Sequence, residues 1–292
     1  MDLLIQILIS SFVIGAIYAL GAAGMAAIFG ISGVLNLAHG ALVVLGAMVA
    51  WYVAQHTGLG VYLSALTGVL AAIVATYLLY ALVILPLERF RHIPPEEKHV
   101  FQLVATLLVA IIIQGVLEWT FGATPVTTPP MLHGVVQIGG NTVPRNSLLI
   151  GGVAWFVLIA LWLFISRTRM GKAMLAASMS PKGLAIVGYD IRRVHVAIWG
   201  LYGLVVGVAG VLLASFTSAS GEVATNITAI SFTIVVLGGL GNILGSLVGA
   251  YILGVLSTLT AFLISPAISE LPGLVLLVLV LYVRPQGLFG RR

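Results

Sequence analysis

Apolar runs alternate with short polar breaks along the whole chain. Leu3 to Phe29 is the first run, with Asp2 the only charge before it. Residues 31–40, ISGVLNLAHG, are polar and glycine-bearing, and Ala41 to Ala54 follows as a run of about 14 residues. An upright helix needs about 20 residues to cross a bilayer. The short run therefore begins inside ISGVLNLAHG or is discontinuous. After a turn at Gln55 to Gly60, Val61 to Leu85 is a third run. Val100 to Phe121, Ser147 to Ser166 and His195 to Phe216 continue the series. From Ala229 the chain is apolar but broken by GGLGNILGSLVG, residues 238–249; Ala250 to Ile264 and Leu271 to Val283 complete it. Lipid cannot satisfy free backbone N–H and C=O groups, so each crossing is helical. The alternating ten-residue strands of a membrane barrel are absent. The pattern predicts an all-α, polytopic transmembrane helical bundle, with residues 1–292 forming one domain.

The polar breaks give the orientation. Short loops rich in Lys and Arg stay cytoplasmic, while acidic residues count little. Pro86 to His99 carries Arg89, Arg91 and Lys98, and the chain ends with Arg284, Arg291 and Arg292. Residues 167–193 hold Arg167, Arg169, Lys172, Lys182, Arg192 and Arg193 against one acid, Asp190. Gly122 to Asn146, with four prolines and the single basic residue Arg145, fits the outer side, as does Thr217 to Thr228 with Glu222. Placing the three basic regions inside predicts nine crossings, or eight if a segment near Gly238 is re-entrant. The N-terminus is then outside and the C-terminus cytoplasmic.

Composition agrees. The chain is 61% hydrophobic and 7% charged, where a soluble domain carries about 25% charge. The net charge of +5 comes from residues at the ends of apolar runs, which points to membrane lipid and topology and not to nucleic acid. With no cysteine there is neither a disulfide nor a thiolate metal site. The first run has no basic n-region and no A-x-A site and is too long for a signal peptide, so it is expected to remain as a span.

Local patterns refine the picture. Gly15, Ala19, Ala23 and Ala27 recur every fourth residue, and Gly203, Gly207 and Gly210 share a face. Such stripes let helix backbones approach closely. Ser180 followed by Pro181 is a helix start: a hydroxyl caps free N–H groups, and proline's missing N–H costs nothing there. A short helix from Pro181 to Val187, ended by Gly188, would place Leu184, Ala185 and Gly188 on one face suited to docking. Two segments match weakly, GVLNLAHG from Gly33 and GLGNILGS from Gly239. Paired glycine-interrupted segments mark the transport site in repeat-built transporters.

Candidate chemistry is sparse. Walker, H-E-x-x-H, EF-hand and G-x-S-x-G patterns are all missing, so no catalytic residue, metal ligand or cofactor of this chain is expected. Proton-coupled carriers keep charges deep in their spans. Here Glu118 sits near the outer end of its run, with Gln114 one turn before it. The pair either reaches water at the interface or contacts a solute or partner at the outer mouth. Asn36 and His39, three apart, either line a polar path or hold an irregular connection through hydrogen bonds. Asn242 has the same two readings. Arg145 and Glu222 are solvated outer charges or contacts for a docking protein.

Four stretches carry a specific resemblance. GAIYALGAAGMAAIFGISGVLNLAHG, RTRMGKAMLAASMSPKGLAIVGYD, VVLGGLGNILGSLVGAYILG and RPQGLFG, in this order and across nearly the whole chain, resemble the branched-chain amino acid ABC transporter permeases of the LivH type. The resemblance implies an inner-membrane permease subunit that is half of a translocation pore. It implies as partners a second homologous permease, two ATPase subunits that bind ATP and Mg, and an extracytoplasmic substrate-binding protein. Ser180, Pro181, Leu184, Ala185 and Gly188 then fall in the segment that inserts into an ATPase subunit. Leu175 stands where many relatives carry arginine, and Ser178 to Ser180 where acidic residues are common. Docking is therefore expected to rest on shape and apolar contact. Relatives of this type also import urea and short amides. A self-sufficient carrier or channel is the rival class.

Overall fold

The computed structural model describes residues 2–90, 94–138 and 141–290. Arg91, Arg291 and Arg292, used above for orientation, lie outside the described residues. Twelve helices are described: α1 Asp2–Ser32, α2 His39–His56, α3 Val61–Leu79, α4 Leu85–Arg89, α5 Pro95–Phe121, α6 Arg145–Arg167, α7 Arg169–Met179, α8 Pro181–Ile186, α9 Ile191–Phe216, α10 Val223–Gly238, α11 Ile243–Leu263 and α12 Leu271–Val283. A two-stranded antiparallel hairpin, β1 Val135–Ile138 and β2 Asn141–Pro144, departs from the all-α expectation. It lies in the polar connection between α5 and α6. We call that side of the bundle the hairpin end, and the side carrying α7 and α8 the basic end.

Among the described residues, seven helical stretches are long and apolar enough to cross a membrane, against the eight or nine expected. Two elements make up the shortfall: α2 has 18 residues but carries His39, Gln55 and His56, and α10 has only 16; both begin inside the bundle. After α1 ends near the basic end, residues 33–38 turn back as non-helical chain that closes with a turn at 37–38, and α2 begins within ISGVLNLAHG. The Leu37 N–H donates to Thr106 Oγ1 at 3.1 Å, and Thr106 lies eleven residues into α5. The start of α2 is therefore about 15 Å along α5. On the other side, residues 217–222 re-enter from the hairpin end as non-helical chain that closes with a turn at 221–222, with Val126 and Ala219 forming a bridge. Then α10 starts at Val223, inside the stretch expected to be outer loop.

These halves are an inverted repeat. α1, the 33–38 segment, α2 and α3 correspond to α9, the 217–222 segment, α10 and α11, running the opposite way. The packing obeys the correspondence. α1 packs on α11 as α9 packs on α3, α2 on α9 as α10 on α1, and α2 on α5 as α10 on α12. The small-residue stripes are the contact faces. A methyl on Gly254 would lie 2.7 Å from Gly15 Cα, and one on Gly207 2.8 Å from Val69 Cα. The partner of GVLNLAHG is thus residues 217–222, not GLGNILGS. Gly33 and Gly239 share only a left-handed backbone, φ +70° and +102°, which glycine adopts without cost. GLGNILGS is the turn between α10 and α11. The tail folds over it: the Leu288 N–H donates to the Leu237 carbonyl at 2.8 Å and the Phe289 N–H to the Gly238 carbonyl at 3.2 Å.

Other boundaries moved for local reasons. The third run does not end at Leu85. It passes through a π-helical turn, Tyr80–Ile84, into α4. Pro86 cannot donate to the residue four before it, and the π turn absorbs that gap, with the Leu85 N–H reaching the Tyr80 carbonyl. Residues 169–179 form an amphipathic helix that the charge count of this stretch conceals. Its buried face is Gly171, Ala173, Met174 and Ala177, and Thr168 caps it by accepting from the Gly171 N–H at 3.0 Å.

Candidate functional site

The two broken helices meet at the middle of the bundle. Asn36 and His39 are fully buried there. Asn36 Nδ2 donates to the Tyr202 hydroxyl at 3.1 Å, and the same hydroxyl lies 2.9 Å from His39 Nδ1. Asn36 Oδ1 accepts from the Ala38 N–H at 3.0 Å, which shapes the entry to α2. Because Tyr202 already accepts from Asn36, its own O–H is free to donate to His39 Nδ1. That donation corresponds to the tautomer with the His39 proton on Nε2, which has no partner among the described residues. Gly21 makes room for that edge: a methyl there would lie 3.5 Å from His39 Nε2 and 3.2 Å from Ser231 Oγ. One residue on from His39, the Gly40 N–H donates to Thr228 Oγ1 of α10 at 2.9 Å, and Thr228 Oγ1 donates in turn to the Ala224 carbonyl at 3.0 Å. The two half-helices are thus tied start to start.

Tyr202 was not among the candidates from sequence. Its only signal is a hydroxyl set between Gly200 and Gly203 on the packing face of α9. Replacing Tyr202 with Phe removes one oxygen and leaves Asn36 Nδ2 and His39 Nδ1 buried without partners. The expected loss is about 1–3 kcal/mol of stability, read as a lower melting temperature in detergent with no change in membrane insertion.

The other candidates separate into three places. Toward the hairpin end, Gln114 Nε2 donates to Thr225 Oγ1 at 3.1 Å, joining α5 to α10. The exposed Glu118 lies over Gly221, where a methyl would come within 2.8 Å of its Cγ. Glu222, also exposed, directly precedes α10, and Arg145 opens α6 beside Gly134. Asn242 belongs elsewhere, at the basic end. Its Oδ1 caps α11 by accepting from the Gly245 N–H at 3.0 Å, and its Nδ2 donates to the Phe289 carbonyl at 3.0 Å. Both ends of its side chain hold the turn and the tail together.

At the basic end, Ser180 caps α8, accepting from the Gly183 N–H at 3.1 Å, and Pro181 is its first residue. Gly188 follows at φ +87°. The face differs from the one expected. Leu184 is 6% exposed and packs into the chain's own core. Ala185 is exposed, and the large apolar groups beside it are Met179, Ile186 and Val187, 85%, 86% and 75% exposed. Three- and four-residue spacing identified a face, but only the packing of α8 against α7 and α9 decides which face is free.

Glu270 was also missed. It follows an apolar run and reads as loop, yet the structure folds it back beside α11. The available signal was length. Leu271–Val283 has 13 residues, too few to cross unaided, so the preceding residues must enter the bundle.

Seven apolar helices, an inverted repeat and half-helices that start inside the bundle define a polytopic membrane protein of the transporter class. A family model described as branched-chain amino acid transport system, permease component, matches residues 7–283. The chain belongs to that family. The high-affinity branched-chain amino acid transport system permease protein LivH of Salmonella typhimurium is 28% identical over 98% of this chain and 96% of that protein. The corresponding permease BraD of Pseudomonas aeruginosa is 27% identical over 98% and 96%. Among solved structures, PsaBC from Streptococcus pneumoniae in complex with Fab shares the fold. Its TM-score is 0.53 at 16% identity, covering 99% of this chain and 94% of that one.

Proposed function

We propose that this chain is the transmembrane permease subunit of an ATP-binding cassette importer for branched-chain or related hydrophobic amino acids. It resides in a bacterial inner membrane and forms half of the translocation pore beside a second permease. The observation that carries this reading is the family match over residues 7–283, with relatives of that description aligned across nearly their whole length. The basic end faces the cytoplasm. The chain then makes nine traverses from an outer N-terminus to an inner C-terminus, three of them partly outside α-helix, at 33–38, 217–222 and 264–270. Two ATPase subunits that bind ATP and Mg engage α8. A substrate-binding protein delivers solute at the hairpin end, where Glu118, Arg145 and Glu222 are exposed.

Alternating access follows from the repeat. Rocking one half against the other about the paired starts of α2 and α10 opens one side as it closes the other. Asn36, His39 and Tyr202 hold that pivot. The chain supplies no energy of its own, so drive comes from the partners. Reconstituted with both permeases, the ATPase subunits and a leucine-loaded binding protein, it is expected to give ATP-dependent leucine uptake into liposomes. The chain alone is expected to give none. Uptake by the chain alone would overturn the reading in favour of a self-sufficient carrier. Uptake of urea or short amides, with none of leucine, would reassign the substrate.

A further inference from the structure

After α11 ends at Leu263, the chain does not stay at the hairpin end. It returns through a short 3-10 turn, Pro266–Ile268, to α12. Gly273 packs on Leu253, with a methyl there 3.1 Å from Leu253 Cγ. Leu253 stands ten residues before the end of α11, which is about 15 Å into the bundle. Glu270 lies one turn above Gly273, still about 10 Å below that end. Its carboxylate is exposed on the chain's surface and is in neither of the ion pairs among the described residues. A charge at membrane depth is costly, and such residues mark solute paths.

The carboxylate opens onto a recess between α1, α10, α11 and α12. Among the described residues, four hydroxyl-bearing side chains line it, Tyr18, Thr233, Ser257 and Ser269, and no Lys, Arg or His does. Its apolar wall includes Leu253 and Ile230. A second cavity, which shares Tyr18 and Ile230, continues inward to Gly21 and Ser231. We infer that this recess is a subsite for the head group of a zwitterionic amino acid, with Glu270 accepting from the ammonium. Hydroxyls among Tyr18, Thr233 and Ser257 donate to the carboxylate, since Ser269 Oγ already donates to the Pro266 carbonyl at 2.8 Å, and the apolar wall takes the side chain. A sugar or a urea would leave the Glu270 charge uncompensated in a low-dielectric site. The inference rests on the proposed function for the nature of the solute. The carboxylate, its place outside the ion pairs of the described residues and the hydroxyls that line the recess are independent of it.

The test uses the full complex in phosphatidylethanolamine–phosphatidylglycerol vesicles. Dicyclohexylcarbodiimide, which modifies carboxyl groups within membranes, is applied and Glu270 modification is read by mass spectrometry. Leucine is expected to slow modification about tenfold, the size a charge-assisted hydrogen bond contributes. Neither 4-methylpentanoate, which has the same side chain without the ammonium, nor ribose is expected to protect. Glu270→Gln is expected to lower leucine uptake about tenfold while the subunits co-purify as in the wild type. Equal modification with and without leucine would overturn the inference, as would protection by 4-methylpentanoate. So would a Glu270→Gln variant that transports normally or that sheds the second permease, since the carboxylate would then serve the subunit interface. Wild-type uptake in the same vesicles reports separately on the proposed function.

Discussion

Gly40→Ala is expected to cost about 3 kcal/mol or more and to leave little folded protein in detergent. The added methyl would run into the Ala224 carbonyl oxygen and lie 2.6 Å from Thr228 Oγ1 and 2.8 Å from Thr228 N. Over-packing a core costs about 1–3 kcal/mol when side chains can shift. Here two of the three obstacles are backbone atoms, held by a helix whose own bonds would have to break. Relief would also separate the Gly40 N–H from Thr228 Oγ1 and untie the two half-helices. Gly152→Ala is the control. Among the described residues, no atom outside the adjoining backbone of α6 lies within 4 Å of a methyl at Gly152, and removing a helix-interior glycine from an open site stabilises by about 0.4–1 kcal/mol. The same substitution is therefore expected to lower the melting temperature at one site and raise it at the other. Size-exclusion of fluorescently tagged protein after heating reads both. Equal effects would show that the start of α2 is not pressed against α10.

Ile186→Arg and Val187→Arg are expected to abolish recovery of the ATPase subunit in a pull-down, with membrane insertion unchanged. Both side chains project from the end of α8 and are largely exposed. A buried interface anchor contributes about 2 kcal/mol or more, so each change should weaken association about 30-fold. Leu184→Ala acts differently. It removes a buried side chain from the core that fixes α8, so it should lower stability first and association only through it. Lys182→Ala, at an exposed position on the same helix, should change association less than about threefold. Loss on Lys182→Ala with retention on Ile186→Arg would mean that charge, not apolar contact, holds the partner.

These two predictions differ in how far the sequence could reach. The cap at Ser180, the stop at Gly188 and the small-residue stripe from Gly15 are local chemistry, and they were legible because helix signals lie within a few residues of one another. The same locality misled elsewhere. Gly33 and Gly239 look alike because both need a left-handed backbone, and that need says nothing about where in the bundle a turn sits. Thr225 and Thr228 read as outer loop because they are polar. They are helical because Gln114 and Gly40, more than a hundred residues away, supply their hydrogen-bond partners.

By itself the sequence determined that this chain is a helical membrane protein, where its basic loops fall, and to which family it belongs. Those properties follow from hydropathy, charge and motifs that each residue carries wherever it folds. Only the tertiary structure decided that Tyr202 joins Asn36 to His39, that Leu184 turns inward while Ile186 and Val187 turn out, and that Glu270 enters the bundle. Each of these depends on which distant helix lies alongside, and helix pairing is set by small-residue contacts summed over whole faces, which no short stretch of sequence records.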